Sequence, residues 1–432
     1  MAHAALTTGL ARTRPPWQAT AHLLRGTGAL VALVVFSARA PVYGAEPFPA
    51  LTVAIGRASS CSPSVRQASG ASRVAEAEAV GARLSPLGNP YLEVFADRTA
   101  ARPEPEATWQ SNLWLPVEVS GQRSRRIAEN DRLQEWRAAE LTAAGMESVA
   151  AMVARYGRAV VAAERVRFLE AIVEISRQES AMYEARLKGG DVTVREAKLA
   201  AVELSRNRMA LGTARSDLAR ALAGVARLLD GPAALSPPLH DEGPPAALWE
   251  LAARDPGSLV THNPRLLALE REGAYFGAQA TRQTVDSQAP LNVILSAGQG
   301  TDGSARLGGG LAWTFPLLRR NQGEHARALA ERARTLDVAE ALRRELGAAL
   351  QGLLEERAQV RSALDELREH GEPAAEAALE AARSTEQAGK GDLLHVVTAR
   401  RDLVSVRASG LDLEQREWSL LAELVSLSGR SP

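Results

Sequence analysis

The chain has 432 residues, more than one compact core usually holds, so a small single domain is excluded. Its 51 Lys and Arg residues balance 51 Asp and Glu residues, which removes the general attraction to phosphates and makes nucleic acid an unexpected partner. Aromatic residues are 4% and Cys61 is the single cysteine, which excludes an aromatic-rich sandwich, a disulfide framework and a cysteine zinc site. The composition is typical of long helices.

The N-terminal segment has the features of an export signal. Arg12, Arg14 and Arg25 precede an apolar run from Gly28 to Phe36, which is too short to cross a bilayer and typical of a signal-peptide core. We predict that residues 1–45 form a signal peptide. Lipidation at Cys61 is the alternative, although no Leu stands three positions before it.

Landmarks recur about 200 residues apart in the same order, which indicates an internal duplication. The recurring pairs are Pro63 and Pro264, Pro90 and Pro290, Leu115-Pro116 and Phe315-Pro316, and Lys188-Gly-Gly-Asp191 and Gly389-Lys-Gly-Asp392. We predict a first repeat at 46–230, a Pro-rich linker at 231–262 and a second repeat at 263–432. Each repeat should contain a helix, two strands and a long helical hairpin.

Four short segments alternate apolar and mixed residues, as strands with one apolar face do. The apolar positions are Leu92, Val94 and Ala96; Leu113, Leu115 and Val117; Leu291, Val293, Leu295 and Ala297; and Leu307, Leu311, Trp313 and Phe315. Segments of about ten residues can cross a bilayer as tilted strands. Taken alone, each pair also fits an ordinary soluble hairpin.

Two proline-poor stretches predict exceptionally long helices, at about residues 120–186 and 321–387. Pro373 is the exception, and together with His370-Gly371 it should kink or interrupt the second of them. Apolar residues spaced by three, four or seven, such as Leu204, Leu211 and Leu218, predict coiled-coil packing against neighbouring helices.

The ordered landmarks resemble the TolC-type outer-membrane efflux proteins over about residues 62–430. The resemblance rests on the duplication, on Leu-Pro or Phe-Pro after the second strand of each half, and on two glycine-rich stretches. These stretches are Arg186-Leu-Lys-Gly-Gly-Asp-Val192 and Gln387-Ala-Gly-Lys-Gly-Asp-Leu393. The resemblance implies a mainly α protein with a transmembrane β-barrel: a homotrimer in the outer membrane of a Gram-negative bacterium, with twelve strands above a periplasmic tunnel of helices.

In this family the glycine-rich hairpin tips meet a periplasmic adaptor protein, and an inner-membrane pump of the resistance-nodulation-division type supplies the energy. The resemblance therefore implies adaptor docking at Lys188, Gly189, Gly190, Asp191, Gly389, Lys390, Gly391 and Asp392. We expect valine at Gly189 and Gly389 to impair docking and to spare trimer assembly. The heavy-metal-cation branch is one candidate for the cargo.

The periplasmic mouth departs from the family pattern. Where family members carry acidic residues a few positions after the first tip glycine, this chain has Arg195 and His395. His395, Thr398, Asp402, Ser405, Ser409, Asp412 and Arg416 recur at helical spacing and form one polar stripe. This stripe is either an outward solvated face or a lumen lining whose aperture carries Arg195, His395 and Thr398.

The sequence contains no pattern typical of a catalytic triad, a phosphate loop or a metalloprotease. His240, Asp241 and Glu242 lie in the linker without partners at metal-ligand spacing, so we expect no metal site, no cofactor and no enzyme activity. The predicted function is an outer-membrane exit duct. The alternative is a soluble periplasmic coiled-coil scaffold.

Overall fold

The structure is a computed structural model, and it describes residues 46–99, 106–229, 231, 234–238, 243–388 and 390–432. The predicted signal peptide at 1–45, the linker residues His240, Asp241 and Glu242, and the tip residue Gly389 lie outside the described residues.

The first half of the described chain consists of helices on either side of a strand pair. Its elements are α1 (Leu51–Cys61), α2 (Pro63–Ala82), β1 (Tyr91–Thr99), β2 (Glu106–Val117), α3 (Gln122–Gly189) and α4 (Val194–Leu229). Helix α3 has 68 residues, so at about 1.5 Å per residue it extends about 100 Å. A helix of that length buries itself only against other long helices, and it packs on α4 and on the last helix of the chain.

The second half repeats the order of helix, two strands and long helices. Its elements are α5 (Ala247–Arg254), α6 (Pro256–Thr261), α7 (Pro264–Asp286), β3 (Leu291–Gln299), β4 (Ala305–Ala312), α8 (Gln322–Glu366), α9 (Glu372–Gln387) and α10 (Leu393–Ser428). Both α5 and α6 lie within the predicted Pro-rich linker at 231–262, and α6 begins at a capped turn. The Asp255 side chain caps it by accepting the Ser258 N–H, and Pro256 occupies its first turn.

The predicted interruption of the second long arm is confirmed. A single π-helical turn, Leu367–Gly371, separates α8 from α9. Pro373 follows this turn directly, and the Glu372 N–H before it donates to the Leu367 carbonyl across the π turn. The arm therefore continues toward its tip instead of ending at the proline.

The four strands form one antiparallel sheet in the order β1-β2-β3-β4. The predicted apolar positions share one face: Leu113 pairs with Leu92 and with Leu295. The opposite face is mixed, and there Asn112 pairs with Glu93 and Ser296. No described element covers the apolar face, since Leu307 is 89% exposed and Leu311 71% exposed.

Strand β4 is shorter than predicted, because it ends at Ala312 and not at Phe315. Ala312 pairs with Asn292, and further pairing would soon reach Pro290, which has no N–H for the ladder. Trp313 and Phe315 instead contact each other, with ring centroids 4.8 Å apart. Their aromatic rings therefore lie beyond the sheet.

The main core lies where α1, α5 and α10 pack against the middle of α3 and the end of α4. Trp418 of α10 is the largest fully buried side chain, and it contacts Tyr156 of α3 at 5.9 Å between ring centroids. Within the described ranges, we find no helix with both the length and the apolar composition needed to cross a membrane. Because α3 begins shortly after β2 and ends at the first hairpin tip, the sheet and the tips lie at opposite ends of the long helices.

Candidate functional site

The first hairpin tip is a tight turn built by backbone hydrogen bonds. Gly190 takes a left-handed conformation with φ of 83° directly after α3. The Asp191 N–H donates to the Arg186 carbonyl at 2.9 Å, and the Gly190 N–H donates to the Leu187 carbonyl at 3.1 Å. This pattern is a Schellman motif, which satisfies carbonyls that the helix end leaves without partners.

Glycine is required at Gly190 and not at Gly189. Gly189 is the last residue of α3, and a Cβ there would meet only the Asp191 carboxylate at an ordinary 3.4 Å. The left-handed conformation of Gly190 is costly for a residue with a Cβ. Our expectation for valine at Gly189 therefore applies with more force to Gly190.

Helix α4 restarts through a capping box that our sequence analysis did not identify. The Thr193 N–H donates to the Glu196 carboxylate at 2.7 Å, and the Glu196 N–H donates to Thr193 Oγ1 at 3.3 Å. The hydrogen bonds from the Thr193 backbone and hydroxyl lower the pKa of Glu196. The Thr-x-x-Glu spacing directly after the tip was the signal in the sequence.

The second tip joins α9 to α10. The Lys390 N–H donates to the Thr385 carbonyl at 3.0 Å, and Asp392 caps α10 by accepting the Leu394 N–H at 3.3 Å. Lys390 and Asp392 are exposed and Gly391 is half-buried. At the first tip, Lys188 and Asp191 are likewise exposed. Each tip therefore presents one cation and one carboxylate to solvent.

The two tips pack on each other through a small apolar cluster. Its buried members are Tyr183, Ala197, Ala200, Leu393 and Val397. Tyr183 and the two alanines come from the first hairpin, and Leu393 and Val397 come from the second. The two tips that the sequence placed 200 residues apart therefore form one end surface.

Glu386 is the polar link between the tips. Its Oε1 accepts a hydrogen bond from the Tyr183 hydroxyl at 2.9 Å and another from Arg186 at 3.1 Å. Burial of the phenol, followed by the hydrogen bond to Glu386, raises the pKa of Tyr183. Sequence reasoning missed Glu386 because its partners lie on the other hairpin.

Two further ion pairs join the hairpins above the tips. Arg400 of α10 is buried and pairs with Glu179 of α3, while Arg401 pairs with the buried Glu203 of α4. A buried charge without its partner is strongly unfavourable, so these pairs constrain how α10 lies against α3 and α4. Helical periodicity could not reveal them, because both are contacts between halves of the chain.

Arg195, His395 and Thr398 lie within the first turns after the tips, and all three are exposed. The Thr398 hydroxyl donates to the Leu394 carbonyl at 2.8 Å. The remaining stripe residues on α10 are exposed or half-exposed, although Asp412 pairs with Arg165 and Arg416 with Glu356. Among the residues with described positions, no three His, Cys, Asp or Glu side chains are grouped to hold a metal ion.

No family model matches the chain. The cobalt-zinc-cadmium resistance protein CzcC of Cupriavidus metallidurans is 25% identical over 356 residues, which cover 81% of this chain and 82% of that protein.

Solved outer-membrane proteins have the same fold. The Campylobacter jejuni CmeC outer membrane channel matches with a TM-score of 0.72 and 12% identity over 88% of this chain and 85% of its own. The Vibrio cholerae outer membrane protein VceC matches with a TM-score of 0.69 and 16% identity over 88% of this chain and 96% of its own. The outer-membrane channel OprN matches with a TM-score of 0.70 and 20% identity over 88% of this chain and 91% of its own.

Proposed function

We propose that this chain, which has the fold of the TolC-type outer-membrane channels, is the outer-membrane exit duct of a tripartite efflux system. In this role it conducts cargo passively from a periplasmic adaptor and an inner-membrane pump to the exterior. The observation that carries the proposal is a sheet with one uncovered apolar face, placed at the far end of helices about 100 Å long from the hairpin tips.

The sheet supports a homotrimer in outer-membrane lipid. Strands β1 and β4 are its two edges, and each pairs with one strand among the described residues. Lipid offers no hydrogen bonds to an open edge, so further copies must pair with both edges. Three copies supply twelve strands, and the face with Leu92, Leu295 and Leu311 then lies against lipid.

The tips support the docking of a periplasmic adaptor. They lie at the end farthest from the sheet and present charged side chains of both signs around a turn of fixed geometry. We assign docking to Lys188, Gly189, Gly190 and Asp191 of the first tip. The second tip contributes Gly389, Lys390, Gly391 and Asp392.

We assign the periplasmic aperture to Arg195, His395 and Thr398. These residues are exposed, follow the tips directly and have no ion pair with another described residue. In a closed trimer, three copies of Arg195 would make this constriction cationic. Conductance of the reconstituted channel tests the assignment. Arg195→Ala and His395→Ala should change the conductance, while Arg208→Ala, at an exposed position on α4 farther from the tip than Arg195, should not.

The likeness to CzcC supports the heavy-metal-cation branch. We propose that deleting the gene lowers tolerance to cobalt, zinc or cadmium salts and that the wild-type chain restores it. Unchanged metal tolerance with a lowered tolerance to organic drugs would transfer the cargo assignment to a drug-efflux system.

Fractionation and mass measurement test the duct itself. We expect the protein in the outer-membrane fraction, soluble only in detergent, with the mass of three chains. A folded, water-soluble monomer would contradict the proposal and favour the soluble periplasmic scaffold.

A further inference from the structure

The long helices of one chain form a row with oppositely charged edges. Helix α4 packs on α3, α3 packs on α10, and α10 packs on α8 and α9, so α4 is one edge and the α8–α9 arm is the other. Helix α4 carries seven cationic and three acidic residues, a formal charge of +4. The arm from 345 to 387 carries ten carboxylates and four arginines, a formal charge of −6.

The cationic edge contains a groove of about 420 Å³ between α3 and α4, which we call the arginine groove. It is lined by Arg155, Arg158, Arg165, Arg220 and Arg227 above a floor of small residues. Among the described residues, Arg158 and Arg227 form no ion pair with a carboxylate, whereas Arg220 pairs with Asp217 of its own helix. The groove therefore holds more positive charge than its own chain neutralises.

Two of these arginines point out of the row. Arg220 and Arg227 are exposed and lie two turns apart on the side of α4 opposite the buried Leu218 and Val225. Burial, and after it the charges of Arg227 and Arg158, lower the pKa of Arg155, which donates to the Gly224 carbonyl at 3.0 Å. Among the described residues, Arg227 on this edge therefore has no carboxylate partner, and Arg220 has only Asp217 of its own helix.

The opposite edge carries two exposed carboxylates that matter for this contact. Glu355 and Glu366 are exposed on α8, three turns apart, on the side opposite the buried Val360 and Leu364. Neither forms an ion pair with a basic side chain among the described residues, although Glu355 accepts a weak hydrogen bond from Gln351 at 3.3 Å.

The two sets of charges lie at matching heights along the helices, as contacts with α10 establish. Gly157 of α3 lies against Trp418, and Arg361 of α8 donates to the adjacent Glu417 at 3.1 Å, so Gly157 and Arg361 are level. Gly224 of α4 contacts Arg155, two residues nearer the sheet than Gly157, so Arg227 stands about 8 Å nearer the sheet than this level. Glu355, six residues before Arg361, stands about 9 Å nearer the sheet than the same level.

The second pair of charges lies on the other side of the same level. Gly224 contacts Arg155, which lies about 3 Å nearer the sheet than the Gly157–Arg361 level, and Arg220 lies four residues from Gly224 toward the tips, so Arg220 stands about 3 Å on the tip side of that level. Glu366, five residues beyond Arg361, stands about 8 Å on the tip side of the same level. Both arginine–glutamate pairs therefore match within one helical turn, a difference that the long side chains can span.

We propose that the arginine groove of one copy receives Glu355 and Glu366 from the α8 edge of the next copy in the ring. This inference rests on the proposed trimer and adds the contact that orients its subunits. Each copy offers a cationic edge on one side and an acidic edge on the other, so head-to-tail contact joins opposite charges around a closed ring. Contact between two α4 edges or two α8 edges would place like charges together.

Charge exchange in the full-length protein tests this pairing. We expect Arg220→Glu with Arg227→Glu to lower the temperature at which the detergent-purified trimer dissociates by several degrees. Adding Glu355→Arg and Glu366→Arg to the same chain should restore most of that loss. The loss should shrink at high salt, because salt screens exposed charges. Arg208→Glu, a charge reversal on α4 outside the groove, is the matched control and should have little effect.

The outcomes separate this inference from the proposed function. If wild type is a trimer and reversal leaves its dissociation temperature unchanged, or the fourfold variant fails to recover while circular dichroism shows normal helix content, the pairing is wrong and the duct stands. If wild type is not a trimer, the proposed function fails first. Stabilisation of wild type by inorganic phosphate, absent in the doubly reversed variant, would assign the groove to a free anion and overturn the pairing.

Discussion

Gly190 is the residue on which the first hairpin turn depends, because its φ of 83° lies where residues with a Cβ are disfavoured. Its neighbours Arg186 and Leu187 accept the two hydrogen bonds that close the turn. The two glycines are adjacent in the sequence, but Gly189 is helical and Gly190 forms the turn. Function assigned to the tip depends on this local geometry.

Gly190→Val should distort the tip at a cost of about 1–3 kcal/mol and reduce co-purification of the adaptor. Gly212→Ala, in the interior of α4 and away from the tips, is the matched control, since its added Cβ finds space, and it should retain docking. Detergent pull-down with the adaptor measures both variants, and the trimer mass confirms assembly. Equal adaptor recovery from the two variants would contradict the role of the turn.

Tyr183 gives the tip a pH dependence at the alkaline end. Its pKa is raised above the ordinary value of 10.0 by burial and by the hydrogen bond to Glu386, so the stability it contributes is present below about pH 10 and is lost as the pH rises further. An ultraviolet titration of tyrosinate should lose its most alkaline component in Tyr183→Phe. Glu386→Gln should move that component toward lower pH, and no change in either variant would contradict the link.

At the scale of the element, close helix packing depends on small residues at crossing points. A Cβ at Gly157 of α3 would overlap the Trp418 ring of α10, so the two helices approach this closely because no side chain intervenes. A Cβ at Gly212, in the interior of α4, would meet no atom of the described residues within 4 Å beyond the backbone of its own helix. Both glycines lie inside a long helix, but only Gly157 is needed for close contact between two helices.

Gly157→Ala should destabilise the protein by about 1–3 kcal/mol through overpacking against Trp418. Gly212→Ala should stabilise it by about 0.5–1 kcal/mol, because alanine restricts the unfolded chain and favours helix. Thermal unfolding in detergent measures both changes. Adding Trp418→Leu should relieve part of the Gly157→Ala effect, and stabilisation by Gly157→Ala alone would refute the close approach.

At the scale of the whole molecule, the two faces of the sheet differ in chemistry. Leu311 pairs with Val293 on the apolar face, while Asn112 pairs with Glu93 and Ser296 on the mixed face. One face of a barrel strand meets lipid and the other meets the interior, so the same charge should have different costs on the two faces.

Leu295→Arg should lower outer-membrane insertion strongly, since Leu295 lies at the middle of β3 and arginine facing lipid near the midplane costs about 2–4 kcal/mol. Asn112→Arg, on the opposite face, should insert much more nearly like wild type and alter conductance instead. Quantifying the protein in the outer-membrane fraction compares them. Similar insertion of both variants would contradict the assignment of the apolar face to lipid.

The amino-acid sequence by itself determined the local elements of this protein. Alternation at Leu113 and Leu115 identified a strand, proline placed the start of α7 and the interruption before α9, and glycine marked both tips. These features depend on neighbours within a few residues, so periodicity and turn chemistry were sufficient to predict them. The Thr193 capping box was also readable in the sequence, although we did not identify it.

Tertiary structure alone decided which residues from the two halves meet. Glu386 joins Tyr183, Arg400 joins Glu179, and the end of β4 depends on its partner strand near Pro290. These contacts join residues remote in sequence, and helical or strand periodicity specifies which face a side chain occupies but not which remote residue it meets. For the same reason the arginine groove could not be predicted from the sequence, because its cations are separated along the chain and converge only when α4 packs on α3.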